Sequence, residues 1–218
     1  MLYKMYRMSL REWQNTVKNP DTFIVQASVI DGSDSWQDFP IGMQFSYAKE
    51  PDAIGIQLGS HSQTVLCAIS EGTDGIRRPA GLNRRVILEN LKKNGIQNGI
   101  INDYFQKLPE YKFVISPEGN GVDCHRHYEA LMAGCIPVIE RNPLIKQKYK
   151  ECPILFTSDY SEITEEYLEA RYAEMIDKEY DFSRLFIDYY TPEQNKTIRE
   201  CGNYWVSHFL GSDMRWYS

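Results

Sequence analysis

The segment Ser116 to Glu140, SPEGNGVDCHRHYEALMAGCIPVIE, gathers the residue types that phosphate and ribose chemistry requires. Gly119 and Gly121 allow a sharp turn and let backbone N–H groups approach an anion. A helix after them would present its positive N-terminal end to the same point. His125 and Arg126 fall at that helix start, so a diphosphate would meet backbone donors and a guanidinium fork together. Glu129 follows about one turn later, where a carboxylate can accept hydrogen bonds from two ribose hydroxyls. Glu118, Asn120 and Asp123 add polar groups to the same loop. The apolar positions Ala130, Leu131, Ile136 and Val138 read as scaffold.

A second cluster, EGTDGIRRPAGLNRR from Glu71 to Arg85, carries four arginines within nine residues. Arg77 or Arg78 could reach a diphosphate from a loop, and Arg84 or Arg85 from the first turn of a helix; Arg77 and Arg84 are the leading candidates. Positive charge there would neutralise a departing nucleotide, a role metal ions fill elsewhere. No D-x-D pair occurs in the chain, and the four histidines form no H-x-x-x-H pair. Metal-independent chemistry is therefore expected, with no cofactor beyond the substrate. An inverting sugar transfer also needs a base facing the acceptor hydroxyl. The loop IDGSDSWQD offers Asp31, Asp34 and Asp38 beside Trp36, with His61 and Glu71 as further candidates. Asp31, at the end of an expected strand, is the first choice.

These residues must be held by regular elements. The pattern predicts a helix over Leu10 to Asn19 ended by Pro20, a β-rich run over Thr22 to Val29, and a short strand near Ile54 to Leu58 within irregular chain. Strands are expected at Thr64 to Ser70, Tyr111 to Ser116, Cys135 to Glu140 and Pro153 to Thr157. Helices are expected from the Asn83 cap to Lys93, over Arg126 to Ala133 closed by Gly134, and over Pro143 to Lys150. Two more follow, over Thr164 to Glu179 and, after a Thr191 cap, over Pro192 to Leu210. Such alternation implies an α/β fold with a Rossmann-like, mostly parallel sheet covered on both faces. Ligands bind beyond the carboxyl ends of its strands, where the loops Pro117 to His125 and Glu71 to Leu82 lie. The expected organisation is a small acceptor-side lobe over 1–60, a nucleotide-sugar-binding lobe over 61–190, and a C-terminal helix over 191–218 returning to the first lobe.

The segment resembles the donor-binding motif of GT-B-type glycosyltransferases, especially the exostosin-like group, and more loosely that of the α-1,3-fucosyltransferases. The shared pattern is a strand, S-P-E/R-G, then H/S-R-x-x-E-A-L-x-x-G-C-I-P-V-I. Here it falls on Ser116, Pro117, Glu118 and Gly119, then on Arg126, Glu129, Ala130, Leu131, Gly134, Cys135, Ile136, Pro137, Val138 and Ile139. The match is strong over some 25 residues, fair from Thr64 to Asp159 and not visible before Ser60. The resemblance implies an abbreviated GT-B-like fold with a reduced N-terminal lobe. It also implies that Glu129 contacts the nucleotide ribose and Arg126 a phosphate. Many retaining enzymes of this type separate two glutamates by seven residues, whereas ten lie between Glu118 and Glu129. That difference points to an inverting enzyme.

Bulk properties narrow the alternatives. The 218 residues suit one ordinary domain or two small lobes. A formal charge of −6 argues against a nucleic-acid platform. No apolar stretch approaches a membrane span, and five scattered cysteines without CxxC spacing suit reduced thiols, so a cytoplasmic setting is expected. The chain could equally be a domain of a larger protein. The leading expectation is a glycosyltransferase moving a sugar from a nucleoside diphosphate to a glycan or glycoconjugate hydroxyl. A nucleotide-sugar epimerase of the same type and a non-catalytic sugar- or nucleotide-binding module are the alternatives. A dinucleotide dehydrogenase is poorly supported, because EGNG lacks the G-x-G-x-x-G order.

Overall fold

A computed structural model describes residues 6–16, 18–19, 22–30, 36–49, 59–99 and 102–218. The chain begins with strand β1 (Arg7–Ser9) and helix α1 (Leu10–Gln14). Ser9 and Glu12 form a reciprocal capping box at the start of α1, and Asn15 ends it, five residues short of the expected stop. Helix α2 (Phe45–Ala48) follows, then strand β2 (Gln63–Leu66), helix α3 (Arg84–Lys93) and helix α4 (Tyr104–Lys107). Strand β3 (Tyr111–Ile115), helix α5 (His125–Met132), strand β4 (Ile136–Glu140), helix α6 (Pro143–Lys148) and strand β5 (Leu155–Thr157) alternate as the pattern predicts. Helix α7 (Glu165–Met175), strand β6 (Glu179–Asp181) and helix α8 (Pro192–Leu210) complete the chain.

Strands β2, β3, β4 and β5 form a parallel sheet in chain order, and β1 pairs antiparallel with β6. The architecture is α/β, consistent with a Rossmann-like fold. Every residue of β4 is buried, as a central parallel strand requires. The loops after β2, β3 and β4 therefore leave the same edge of three adjacent strands. The motif loops follow β2 and β3, so the topology alone brings them together.

Two further local readings differ from the structure. Thr22 to Val29 forms no strand; Phe23 and Val25 make only isolated bridges, to Phe186 and Met43. Its apolar residues Phe23, Ile24, Val25 and Ala27 are nonetheless fully buried. The β-rich composition reports burial rather than ladder pairing, since an apolar run fits either. Helix α7 stops at Met175 because the chain then turns to pair β6 with β1, a long-range contact invisible to local pattern. The expected strand near Ile54 to Leu58 lies outside the described residues.

One hydrophobic core runs through the molecule, from Leu10 and Trp13 through the sheet to Ile198 and Tyr217. Chain before position 60 is tied into it at several points. Trp13 Nε1 donates to the Leu131 carbonyl at 2.8 Å, and the Tyr128 hydroxyl accepts from the Ile24 amide at 3.0 Å. The C-terminal region closes on the same segment. Trp205 Nε1 donates to Ser28 at 2.9 Å, and the Tyr217 hydroxyl donates to the Phe23 carbonyl at 2.8 Å while accepting from the Val25 amide. Phe209 stacks on Phe45 of α2.

Candidate functional site

The carboxyl edge of the sheet is built around four carboxylate and guanidinium side chains that are almost wholly enclosed. Glu118, two residues past Ser116 on the β3 loop, receives Arg77 Nη2 at 2.7 Å and the Asn142 side-chain amide at 2.9 Å. Arg78 bridges Asp74 at 2.8 Å and Glu140, the last residue of β4, at 2.8 Å. Burial pushes the Glu140 carboxyl upward, and the Arg78 guanidinium partly offsets that. Arg84 starts α3 and is 4% exposed. It donates to the carbonyls of Glu118 at 2.8 Å, Ser70 at 3.1 Å and Pro117 at 3.2 Å. Burial lowers its proton affinity, as expected for a cation facing carbonyls rather than a carboxylate. Arg84, expected on a diphosphate, thus clasps the β2 and β3 loops together.

The structure explains why position 119 is glycine. A Cβ there would come within 3.0 Å of Arg84 Nη2. Gly119 is buried beneath that guanidinium, whereas Asn120 and Gly121 are exposed at the tip of the loop. Asp123 turns inward. It receives Lys148 Nζ at 3.0 Å, the Tyr149 hydroxyl at 2.9 Å and the Ile41 amide at 3.1 Å. Lys148 also lies 3.8 Å from the Trp36 ring centroid, so the indole meets a protein cation. His125 Nδ1 donates to the Gly42 carbonyl at 2.7 Å, and burial lowers its pKa.

Helix α5 starts at Cys124 without a side-chain cap. Arg126 in its first turn donates from Nη2 to the Ala68 carbonyl just past β2, at 3.0 Å. Glu129, one turn further, is 4% exposed and accepts the Gln44 amide at 3.0 Å. Burial lifts its pKa to about 7, against the opposing pull of that amide and of Arg126. Arg126 and Glu129 therefore share one enclosed face of α5, beneath the N-terminal cap of α2. His127 faces the interior instead, 2.7 Å from Ser116 Oγ, and burial drives its pKa down to about 4.

The candidate residues thus divide into two neighbouring sets. Arg77, Arg84, Glu118 and Gly119 belong to the loop network, while on α5 His125 and Glu129 meet Gly42 and Gln44 and Arg126 meets Ala68. Asp31 and Asp34 lie outside the described residues; Asp38 is exposed, and Glu71 pairs on the surface with Arg85. His61 donates to the Ala133 carbonyl at 2.8 Å within the core. Sequence reasoning missed Asp74, Glu140 and Asn142. Glu140 carried a usable signal, being a charged residue at the carboxyl end of a buried parallel strand.

A cavity of about 340 Å³ opens beside the network, lined by Asp74, Arg78, Asn83 and Arg85. A larger groove of about 930 Å³ runs along α8 past Tyr190, Arg199 and Tyr204 and shares none of the network residues. Among the described residues no cluster of His, Cys, Asp or Glu is placed to hold a metal ion, and no helix is long and apolar enough to cross a membrane. Comparison of the chain with protein-family models finds no match, and comparison with curated proteins finds none.

Proposed function

We propose that the chain takes a nucleoside-diphosphate sugar at the carboxyl edge of its sheet and transfers the sugar to a glycan hydroxyl. The observation that carries this reading is a convergence at one edge of a parallel sheet. The glycine loop after β3, the guanidinium groups of the β2 loop and the uncapped start of α5 meet there, with Arg126 and Glu129 behind them. Departure of a nucleoside diphosphate leaves negative charge on the β-phosphate. Fixed guanidinium groups stabilise that charge without reorganising. Arg77 is the most accessible of the network arginines, with 31% of its side chain exposed. A diphosphate would take the place of Glu118 as its partner. Glu129 in its ionised form would accept ribose hydroxyls. Inversion would need a base on the face of the donor opposite the nucleotide; Asp31, the first choice from the sequence, lies outside the described residues.

A second reading, binding without turnover, is favoured by one feature. Arg77 and Arg78 are already neutralised by Glu118, Asp74 and Glu140, so the network is self-contained without a ligand. A thermal-shift screen against nucleotide sugars, followed by product analysis over an acceptor panel, separates the two. Transfer expects a raised melting temperature with one donor family and a new glycoside bond. Arg126→Ala and Glu129→Ala should each weaken donor binding by about tenfold or more. Donor binding left unchanged by both substitutions would overturn the site.

A further inference from the structure

The chain holds three Asn-Gly dipeptides, Asn94-Gly95, Asn98-Gly99 and Asn120-Gly121. Such a pair can react with itself. The glycine backbone nitrogen attacks the side-chain carbonyl carbon of the asparagine, and with no Cβ the glycine leaves that approach open. A C–N bond forms and closes a succinimide ring. The bond to the side-chain nitrogen breaks, and that nitrogen departs as ammonia with the proton of the glycine amide. Water then opens the ring at either carbonyl, leaving aspartate or isoaspartate, and nothing is oxidised or reduced. The asparagine side chain must be free to turn, and the glycine N–H must be free to react.

The fold withdraws two of the three pairs. Asn94 donates its side-chain amide to the Ser161 and Ile163 carbonyls at 2.8 and 2.9 Å, and the Gly95 amide donates to the Lys92 carbonyl at 3.1 Å. Asn98 both accepts the Ile69 amide and donates to the Ile69 carbonyl, each at 2.9 Å, and the Gly99 amide donates to the Cys67 carbonyl at 3.1 Å. Asn120 is different. It is exposed at the loop tip, and among the described residues neither its side chain nor the Gly121 N–H has a hydrogen-bond partner. We propose that Asn120 is a spontaneous modification site, converting to aspartate and isoaspartate while the fold keeps Asn94 and Asn98 intact. The product adds a carboxylate to the glycine loop, against the diphosphate of a bound donor. That consequence, a loop that loses its ligand as the protein ages, rests on the donor-site reading above.

Incubation of the full chain at mildly alkaline pH, followed by peptide mapping with mass spectrometry, reads each site by its exchange of NH2 for OH. Isoaspartyl methyltransferase labels the isoaspartate. Conversion at Asn120 should run at least about tenfold faster than at Asn94 or Asn98, which must first lose several hydrogen bonds of about 1 kcal/mol each. In urea, where those bonds are gone, the three sites should convert at similar rates. Gly121→Ala, whose Cβ would stand 3.4 Å from the Asp123 carbonyl oxygen in ordinary contact, should slow conversion at Asn120 and leave the other two sites as they were. An Asn120 that stays intact, or equal native rates at all three, overturns the modification site. A rate order that persists in urea places the preference in local sequence and overturns the protection argued for Asn94 and Asn98. Calorimetric titration of ADP, UDP, GDP and CDP into Asn120→Asp tests the consequence, with binding expected to weaken by about tenfold for one added charge beside the diphosphate. Unchanged affinity overturns the effect on binding and leaves the modification standing. A wild-type chain that binds none of the four overturns the donor reading and the effect on binding together, while the mass measurement still decides the modification.

Discussion

Replacing Glu129 by glutamine isolates one proton equilibrium at the centre of the candidate site. Burial lifts the Glu129 pKa from an ordinary 4.5 to about 7. In the unfolded chain the same carboxyl titrates near its ordinary value. Below pH 4.5 it is protonated in both states and makes no difference to stability. Between pH 4.5 and 7 only the folded chain holds the proton, so stability falls as pH rises. Above pH 7 the carboxyl is ionised in both states and the loss is complete. A rise from 4.5 to about 7 corresponds to about 3 kcal/mol, at about 1.4 kcal/mol for each tenfold change in proton affinity. Glutamine keeps the shape and a carbonyl oxygen for the Gln44 amide, but it does not titrate. Urea unfolding of both proteins, followed by tryptophan fluorescence from pH 5 to 8, reads the effect directly. The difference between them should shift by about 2 to 3 kcal/mol in favour of Glu129→Gln as pH rises. His125 and His127 titrate in both chains and cancel. A difference that stays flat with pH would refute the claim that Glu129 is enclosed and its charge poorly compensated.

The loop network makes a complementary prediction. Arg78→Met leaves Asp74 and Glu140 enclosed without their shared cation and should cost about 3 to 5 kcal/mol in chemical denaturation, whereas Arg85→Met, which breaks only an exposed pair with Glu71, should change stability little. Gly134 ends α5 at φ +77°, and a Cβ there would lie 2.9 Å from Gln14 Cγ. Gly134→Ala should therefore lower the unfolding free energy by at least about 1 kcal/mol, measured in the same way.

The elements around the motif were legible because local rules and tertiary demands agreed there. Asn83 caps α3 by accepting the Val86 amide, and Thr191 opens α8 with a capping box completed by Gln194. Gly134 takes the left-handed conformation that ends a helix, and the apolar runs of β3 and β4 are buried as central strands. The polar half of the motif was less legible. Glu118, Arg84 and Asp123 had the residue types of a ligand site, yet each is engaged by the protein itself. A charged side chain beside a glycine loop can serve a ligand or clamp the loop, and its spacing is the same either way. Glu140 was missed because it looked like the end of a strand.

The sequence by itself determined the order of elements over residues 111–157 and placed the two polar loops after successive strands, though it did not show helix α4. Capping residues, helix-ending glycine and apolar periodicity act over a few positions, so a linear reading captures them. Only the tertiary structure decided what those loops do to each other. Arg84 meets Pro117 and Glu118, Arg78 meets Glu140, and Gln44 meets Glu129 across separations of 33 to 85 residues. Such pairings depend on which strands lie side by side and on how much water the packing removes. Burial, not composition, turned Glu129 from an ordinary surface acid into a carboxyl that titrates near neutrality.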